Sequence, residues 1–325
     1  MPVFTVLIAI HNAAPWLDAC LDSLAAQTLP DFEAFCVDDC STDGSPAIIA
    51  RRCAADCRFV ALRTAVNSGQ AVARNLGLRR ARGTFTLFVD ADDWLAPDAL
   101  ERLAADLGAA PAADAAVFTV MTVDDSGRQE ELPTAATARV MTGREAALLS
   151  VDWRLHGVYA LRTSLHRRLP YATDLRRYAD DNTTCLHYLA CRRVVRSRAV
   201  YFYRQHGQSC THGSLLSRLD LLAANALRRR MLEDAAIGRE GLRRCEAYCW
   251  YNFVALYREF QLAAPVLPVS TRRQAHRRFA AALAAMRPLR LPLSVVRHPS
   301  TLFVRPYALF RRWQALLLAC RRQGR

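Results

Sequence analysis

The chain has 325 residues, 52% of them hydrophobic and 23% charged, which is enough apolar material for a sizeable core and excludes a disordered chain. No uncharged stretch reads as a bilayer-spanning helix: Met1–Leu17, the longest candidate, contains His11, Asn12 and Pro15 and lacks the basic start of a signal peptide. The net charge of +14 comes entirely from arginine, because the 44 basic residues include no lysine, and it predicts attraction to phosphates of a nucleotide, an anionic lipid or a nucleic acid.

Strand and helix signals alternate along the first 125 residues. Phe4–Ile10 is an apolar run of strand length. Pro15 suits a first helical turn, and Leu17, Cys20, Leu21 and Leu24 then recur at helical spacing. Phe32–Val37 is a second strand ending abruptly in Asp38-Asp39, and Ser45-Pro46 opens another helix. Phe59–Leu62 reads as a strand, Ser68–Arg82 as a helix closed by Gly83, and Thr84–Val89 as a strand running into Asp90-Ala91-Asp92-Asp93. Pro97 begins a further helix, and Ala115–Val123 is a strand before an Asp-Ser-Gly turn. Strands joined by crossover helices predict an α/β fold, a Rossmann-like, mainly parallel sheet with helices on both faces. Ligands of such sheets bind beyond the carboxyl ends of the strands, where both acidic clusters fall. The pattern is mixed from Val151 to about Ser209, and beyond Gly213 it becomes helical over Leu216–Ala236, Gly241–Phe260 and Thr271–Met286. The expected division is a domain of residues 1–212, with halves 1–125 and 126–212, followed by a helical region of residues 213–325.

The eleven cysteines are odd in number, and Cys20, Cys36 and Cys53 sit in apolar stretches, so they read as buried thiols of a cytoplasmic protein. Three carboxylates in Asp90–Asp93 repel one another unless a cation joins them. The alternative is a solvated turn in which Asp93 caps a helix. Asp38–Ser45 reads either as a polar turn or as a nucleotide pocket whose carboxylate accepts from a base N–H or a ribose hydroxyl. Asp180-Asp181 is an acidic pair in a basic surround, a pattern that also suits a helix N-terminus.

Taken in order, Val6–Asn12, Gln27-Thr28, Val37–Ser45, Asn67–Gly69 with Ala73–Asn75, Phe88–Trp94, Tyr178–Thr184 and Tyr203–His206 resemble family 2 of the inverting glycosyltransferases, over roughly two-thirds of the chain. The resemblance implies a glycosyltransferase A fold and a metal-dependent transferase of hexosyl or N-acetylhexosaminyl type. Such an enzyme would move sugar from a nucleotide-diphosphate sugar to a hydroxyl of lipopolysaccharide, capsule or exopolysaccharide. It implies that Asp39 reads the base, with Ala9, His11 and Asn12 shaping that pocket and Arg74 near base and phosphates. Asp90 approaches the ribose, Asp92 and Asp93 meet Mg²⁺ or Mn²⁺, and His206 approaches the diphosphate or metal. Asp181 of the Asp180-Asp181 pair serves as base. Ala9 departs from the family's usual Pro, His11 from its Tyr, and Asp180 from its Glu.

Near the carboxyl end, Leu309, Phe310, Trp313, Leu316, Leu317 and Cys320 share one face of a helix with Arg311, Arg312, Arg321 and Arg322 opposite. That pattern suits peripheral contact with an anionic membrane at its cytoplasmic face, or packing on its own domain. Expected partners are the nucleotide sugar and a glycan or lipid-linked acceptor, with no specific nucleic acid. The competing reading is a catalytically inactive sugar- or nucleotide-binding relative. His11–Pro15 after the first strand, instead of a Gly-rich turn, disfavours a nicotinamide-dependent enzyme.

Overall fold

The computed structural model describes residues 1–175, 178–207, 214–293, 295 and 301–323, without the side chains of 179–181 and 321–323. The chain divides into two compact units, Met1–Gly207 and Gln208–Arg325. In the first, β1 (Phe4–Ile10), α1 (Ala14–Ala25), β2 (Phe32–Asp38), α2 (Ser45–Ala55), β3 (Phe59–Arg63), α3 (Gln70–Leu78) and β4 (Phe85–Phe88) alternate. Next come β5 (Trp94–Leu95), α4 (Ala99–Ala109), β6 (Ala113–Val123), β7 (Gln129–Glu131), β8 (Val140–Thr142), α5 (Gly143–Ser150), β9 (Tyr159–Arg162), α6 (Thr163–Arg168), α7 (Ala179–Ala190) and β10 (Arg193–Arg204).

All these strands form one sheet, with β3-β2-β1-β4-β9-β6-β10-β5 along its path. β3, β2, β1 and β4 are mutually parallel, as are β6 and β10. The expected Rossmann-like layering is therefore present. Beyond the anticipated strands, β9 runs antiparallel between β4 and β6 and joins the two parallel sets. β1 and β2 are buried almost throughout because helices cover both faces, which is why they read as continuous apolar runs. α3 is shorter than the helical pattern suggested. Gly69 enters it at φ 91°, a left-handed conformation that glycine adopts freely, so the helix starts only at Gln70.

α5 begins with a capping box in which the Thr142 hydroxyl accepts from the Glu145 N–H while the Glu145 carboxylate accepts from the Thr142 N–H. Its first residue, Gly143, is pressed against the end of α7: a Cβ there would collide with the carbonyl oxygens of Tyr188 and Cys191.

The second unit is helical: α8 (Leu215–Arg218), α9 (Asp220–Asp234), α10 (Gly238–Ala263), α11 (Val269–Ala285) and α12 (Tyr307–Gln323). Trp250, Phe253, Phe279 and Phe310 are fully buried at its centre, with Tyr257 among them. This divides the apolar face predicted for α12. Phe310 is core, whereas Leu309 and Leu316 are exposed. Among the described residues no helix is long and apolar enough to cross a membrane.

Candidate active site

β1 and β2 end side by side, Ile10 in register with Asp38, and the loops that leave them are stitched together. The Asn12 carboxamide oxygen accepts from the Thr42 N–H at 2.8 Å, and the Asn12 N–H donates to Ser41 Oγ at 3.1 Å. Asn12 itself takes φ 53°, a conformation Asn tolerates better than most residues. His11 is exposed, with Nδ1 2.9 Å from the Asp39 carbonyl and Nε2 2.8 Å from the Asn67 amide. Ala9, in register with Val37, lies half-buried just behind.

Asp39 is buried, and its carboxylate organises the segment before α3. Oδ1 accepts from the Thr64 hydroxyl at 2.6 Å and the Ser68 N–H at 2.9 Å, and Oδ2 accepts from the Gly69 N–H at 2.6 Å. Among the described residues these three donors fill three of the roughly four lone-pair directions of the carboxylate.

The Asp90–Asp93 turn leaves β4 and runs to β5, which pairs antiparallel with β10. Each of its acids meets a different partner. Asp90 pairs with Arg74, whose wholly buried guanidinium lies 3.9 Å from the Phe88 ring centroid and 5.5 Å from that of Tyr171. Asp92, partly open to solvent, is 2.9 Å from His206 Nε2, and that imidazole stacks on Trp16 of α1 at 4.3 Å. Asp93 is buried: Oδ1 accepts from the Arg204 N–H at 2.8 Å and Oδ2 from the Tyr201 hydroxyl at 2.7 Å. Tyr201 also accepts from the Asp90 N–H at 3.1 Å, so one hydroxyl braces both ends of the turn. Arg204 Nε donates to the Asp92 carbonyl at 2.9 Å, with its guanidinium over the Trp94 ring.

Burial first, and then Asp90 and Asp92, push the Asp93 carboxyl up to about 9. Crowded carboxylates of this kind are relieved by a cation. Among the described residues no three His, Cys, Asp or Glu side chains converge as a metal-holding group. A carboxylate and an imidazole at hydrogen-bond distance nevertheless suit a divalent ion that takes its other ligands from water or diphosphate. Asp92 and His206 fit that role, and Asp93 braces the turn from behind.

Asp180 and Asp181 fall in the first turn of α7, and their side chains lie outside the described residues. α7 is moored to α3 through Tyr171. The Asn75 amide donates to the Tyr171 carbonyl at 2.8 Å, and the Tyr171 N–H donates to the Asn75 carboxamide oxygen at 3.0 Å. The Ala172 N–H donates to the Thr183 hydroxyl of α7 at 3.1 Å, and His187 Nε2 lies 2.6 Å from the Leu169 carbonyl. Tyr201, Trp16 and Tyr171 escaped the sequence reading. For Tyr201 the signal was weak, one of three hydroxyls beside Ser197 and Tyr203 in a strand of mixed burial.

Beneath Arg74, His166 and His187 lie buried among Tyr159, Tyr171 and Tyr188. Burial holds His187 and the nearby buried His156 down to about 4, and His166 well below its usual range. In the unfolded chain each imidazole takes up a proton near pH 6.5, whereas in the fold it stays neutral. Stability is therefore complete above that pH and is lost as pH falls towards 4. Urea unfolding at pH 7 and pH 5 should differ by about 2 kcal/mol for each of His156 and His187. Equal stability at the two values would mean that these imidazoles titrate normally.

An α/β sheet of this kind binds its ligands beyond the carboxyl ends of its parallel strands, where these loop carboxylates lie. The sequence profile of glycosyl transferase family 2 matches residues 5–182. EpsH of Bacillus subtilis is 37% identical over 102 residues, 31% of this chain and 29% of EpsH. TarS of Staphylococcus aureus, a poly(ribitol-phosphate) beta-N-acetylglucosaminyltransferase, is 36% identical over 108 residues, 32% of this chain and 19% of TarS. The matches thus span well under half the length of these relatives. In three dimensions the chain resembles residues 1–349 of TarS in complex with UDP-GlcNAc, with TM-score 0.68 and 21% identity over 89% of this chain and 83% of that one. It also resembles the mannosyltransferase PcManGT of Pyrobaculum calidifontis in complex with GDP-Man and Mn²⁺, with TM-score 0.53 and 19% identity over 87% and 86%. The chain belongs to glycosyl transferase family 2.

Proposed function

We propose that the chain is an inverting transferase that moves a sugar from a nucleoside-diphosphate sugar to a hydroxyl of a bacterial surface glycan. The observation that carries this reading is the braced Asp90–Asp93 turn, with Asp92 and His206 paired at the strand ends beside the Asp39 loop. UDP-GlcNAc in the TarS complex and GDP-Man with Mn²⁺ in the PcManGT complex support a nucleotide-sugar donor. The poly(ribitol-phosphate) named for TarS supports a cell-envelope acceptor, which when lipid-linked would bring the enzyme to the cytoplasmic membrane face.

In this reading Asp39 accepts from the base, His11, Asn12 and Ala9 wall that pocket, and Asp90, oriented by Arg74, approaches the ribose. Asp92 and His206 would hold a divalent cation, which when bound neutralises charge on the departing diphosphate. Asp181 takes the proton of the acceptor hydroxyl, and the oxygen displaces the nucleoside diphosphate from the opposite face of the anomeric carbon in one step. No second carboxylate is assigned as nucleophile, so the configuration inverts.

A thermal-shift series with UDP-, GDP- and dTDP-sugars, with and without Mn²⁺, tests this. One nucleotide sugar should raise the melting temperature, and more so with the cation, by mass action. No shift with any donor would favour an inactive relative that has lost the site.

A further inference from the structure

The carboxyl-terminal unit, residues 208–325, contains twenty-one arginines and six carboxylates, whereas residues 1–207 contain twenty-three and twenty-four. The whole positive surplus of the chain therefore lies in the helical unit. Within it, the connection from α10 to α11 is unusual. Residues 260–271 carry no charged side chain, and Leu262, Val266 and Val269 are 64%, 86% and 61% exposed. Pro265 and Pro268 cannot continue a helix, and the chain turns through one 3₁₀ turn, Ala264–Val266, which lifts these side chains off the core.

The tip is held firmly from below. Phe260 is buried at the end of α10 and meets Phe279 and His276 of α11, with ring centroids 5.6 Å and 4.9 Å apart. Arg272 and Arg273 stand three and four residues after Val269, on the same side of α11. Among nearby charges, Arg278 is engaged by Asp220 at 2.5 Å, and the neighbouring acid Glu259 pairs with Arg218 at 2.9 Å. The result is an apolar tip with a basic collar.

We propose that this connection is the protein's contact with an anionic lipid surface. Leu262, Val266 and Val269 enter the boundary between headgroups and acyl chains, and Arg272 and Arg273 meet the lipid phosphates. The charge surplus selects an anionic partner. The exposed aliphatic tip selects a bilayer over a dissolved polyanion, which offers no acyl layer to receive it.

The full chain would be sedimented with phosphatidylcholine vesicles with and without phosphatidylglycerol, at low and high salt. The unmodified protein should sediment with the anionic vesicles and be released by salt. Leu262→Asp/Val266→Asp/Val269→Asp should lower partitioning at least about tenfold, and Arg272→Glu/Arg273→Glu by about tenfold, with melting temperatures unchanged because the residues are exposed. Leu309→Ser/Leu316→Ser should sediment like the unmodified chain. The proposal falls if the unmodified chain binds neither kind of vesicle. It also falls if the triple variant binds normally while the α12 variant is released, or if an oligonucleotide displaces the vesicles and binds the triple variant equally well. The readout is lipid binding, so it is independent of the transferase reading.

Discussion

Asp181→Asn should bind nucleotide sugar almost normally and lose roughly two to four orders of magnitude in transfer rate. The residues proposed to hold the donor lie on other elements. Asp39 follows β2, Asp90 and Asp92 follow β4, and His206 follows β10, whereas Asp181 belongs to the first turn of α7. Asn keeps the size and a hydrogen-bonding oxygen but cannot accept the proton of an acceptor hydroxyl. Asp180→Asn should be milder. Donor affinity and single-turnover rate would be measured separately for both variants. A dead Asp180→Asn beside a mild Asp181→Asn would transfer the role to Asp180, and two active variants would place the base on another residue.

Asp92→Ala and Asp93→Ala should fail in different ways. Asp92 is partly exposed and faces His206, so its loss should leave the melting temperature unchanged. Turnover should fall by on the order of a hundredfold or more, and the extra stabilisation that Mn²⁺ adds to bound nucleotide should disappear. Removing the Asp93 carboxylate strands the buried Tyr201 hydroxyl and the Arg204 N–H, at a cost of about 1–3 kcal/mol in stability. Calorimetry and nucleotide titrations with and without the cation separate the two. Equal melting temperatures and equal loss of the Mn²⁺ effect would make both acids cation ligands.

The strand ends that carry Asp39 and Asp90–Asp93 were legible because β1, β2 and β4 are buried on both faces. Their apolar runs stop abruptly at polar residues, and the acids that follow mark the strand ends. Asp93 shows where that reading stops. Its neighbours in sequence suggest a ligand, and its hydrogen bond to Tyr201, 108 residues away, is one that local pattern cannot foresee. β9 is four residues long and runs against its neighbours, and nothing in its composition announces either fact. Periodicity alone placed Leu309 and Phe310 on one face of α12. The contacts separate them, because tertiary packing chooses only part of an apolar stripe.

Gly143 couples two helices through the side chain it lacks. Its missing side chain lets the end of α7 rest directly against the start of α5, at the opposite end of that helix from Asp181. A twelve-residue helix is about 18 Å long and behaves as a stiff rod, so a residue wedged under one end displaces the other. Any side chain at position 143 must therefore push the two helices apart. A methyl group arriving there would pass along the rod as a shift of its first turn, on the order of 15 Å away.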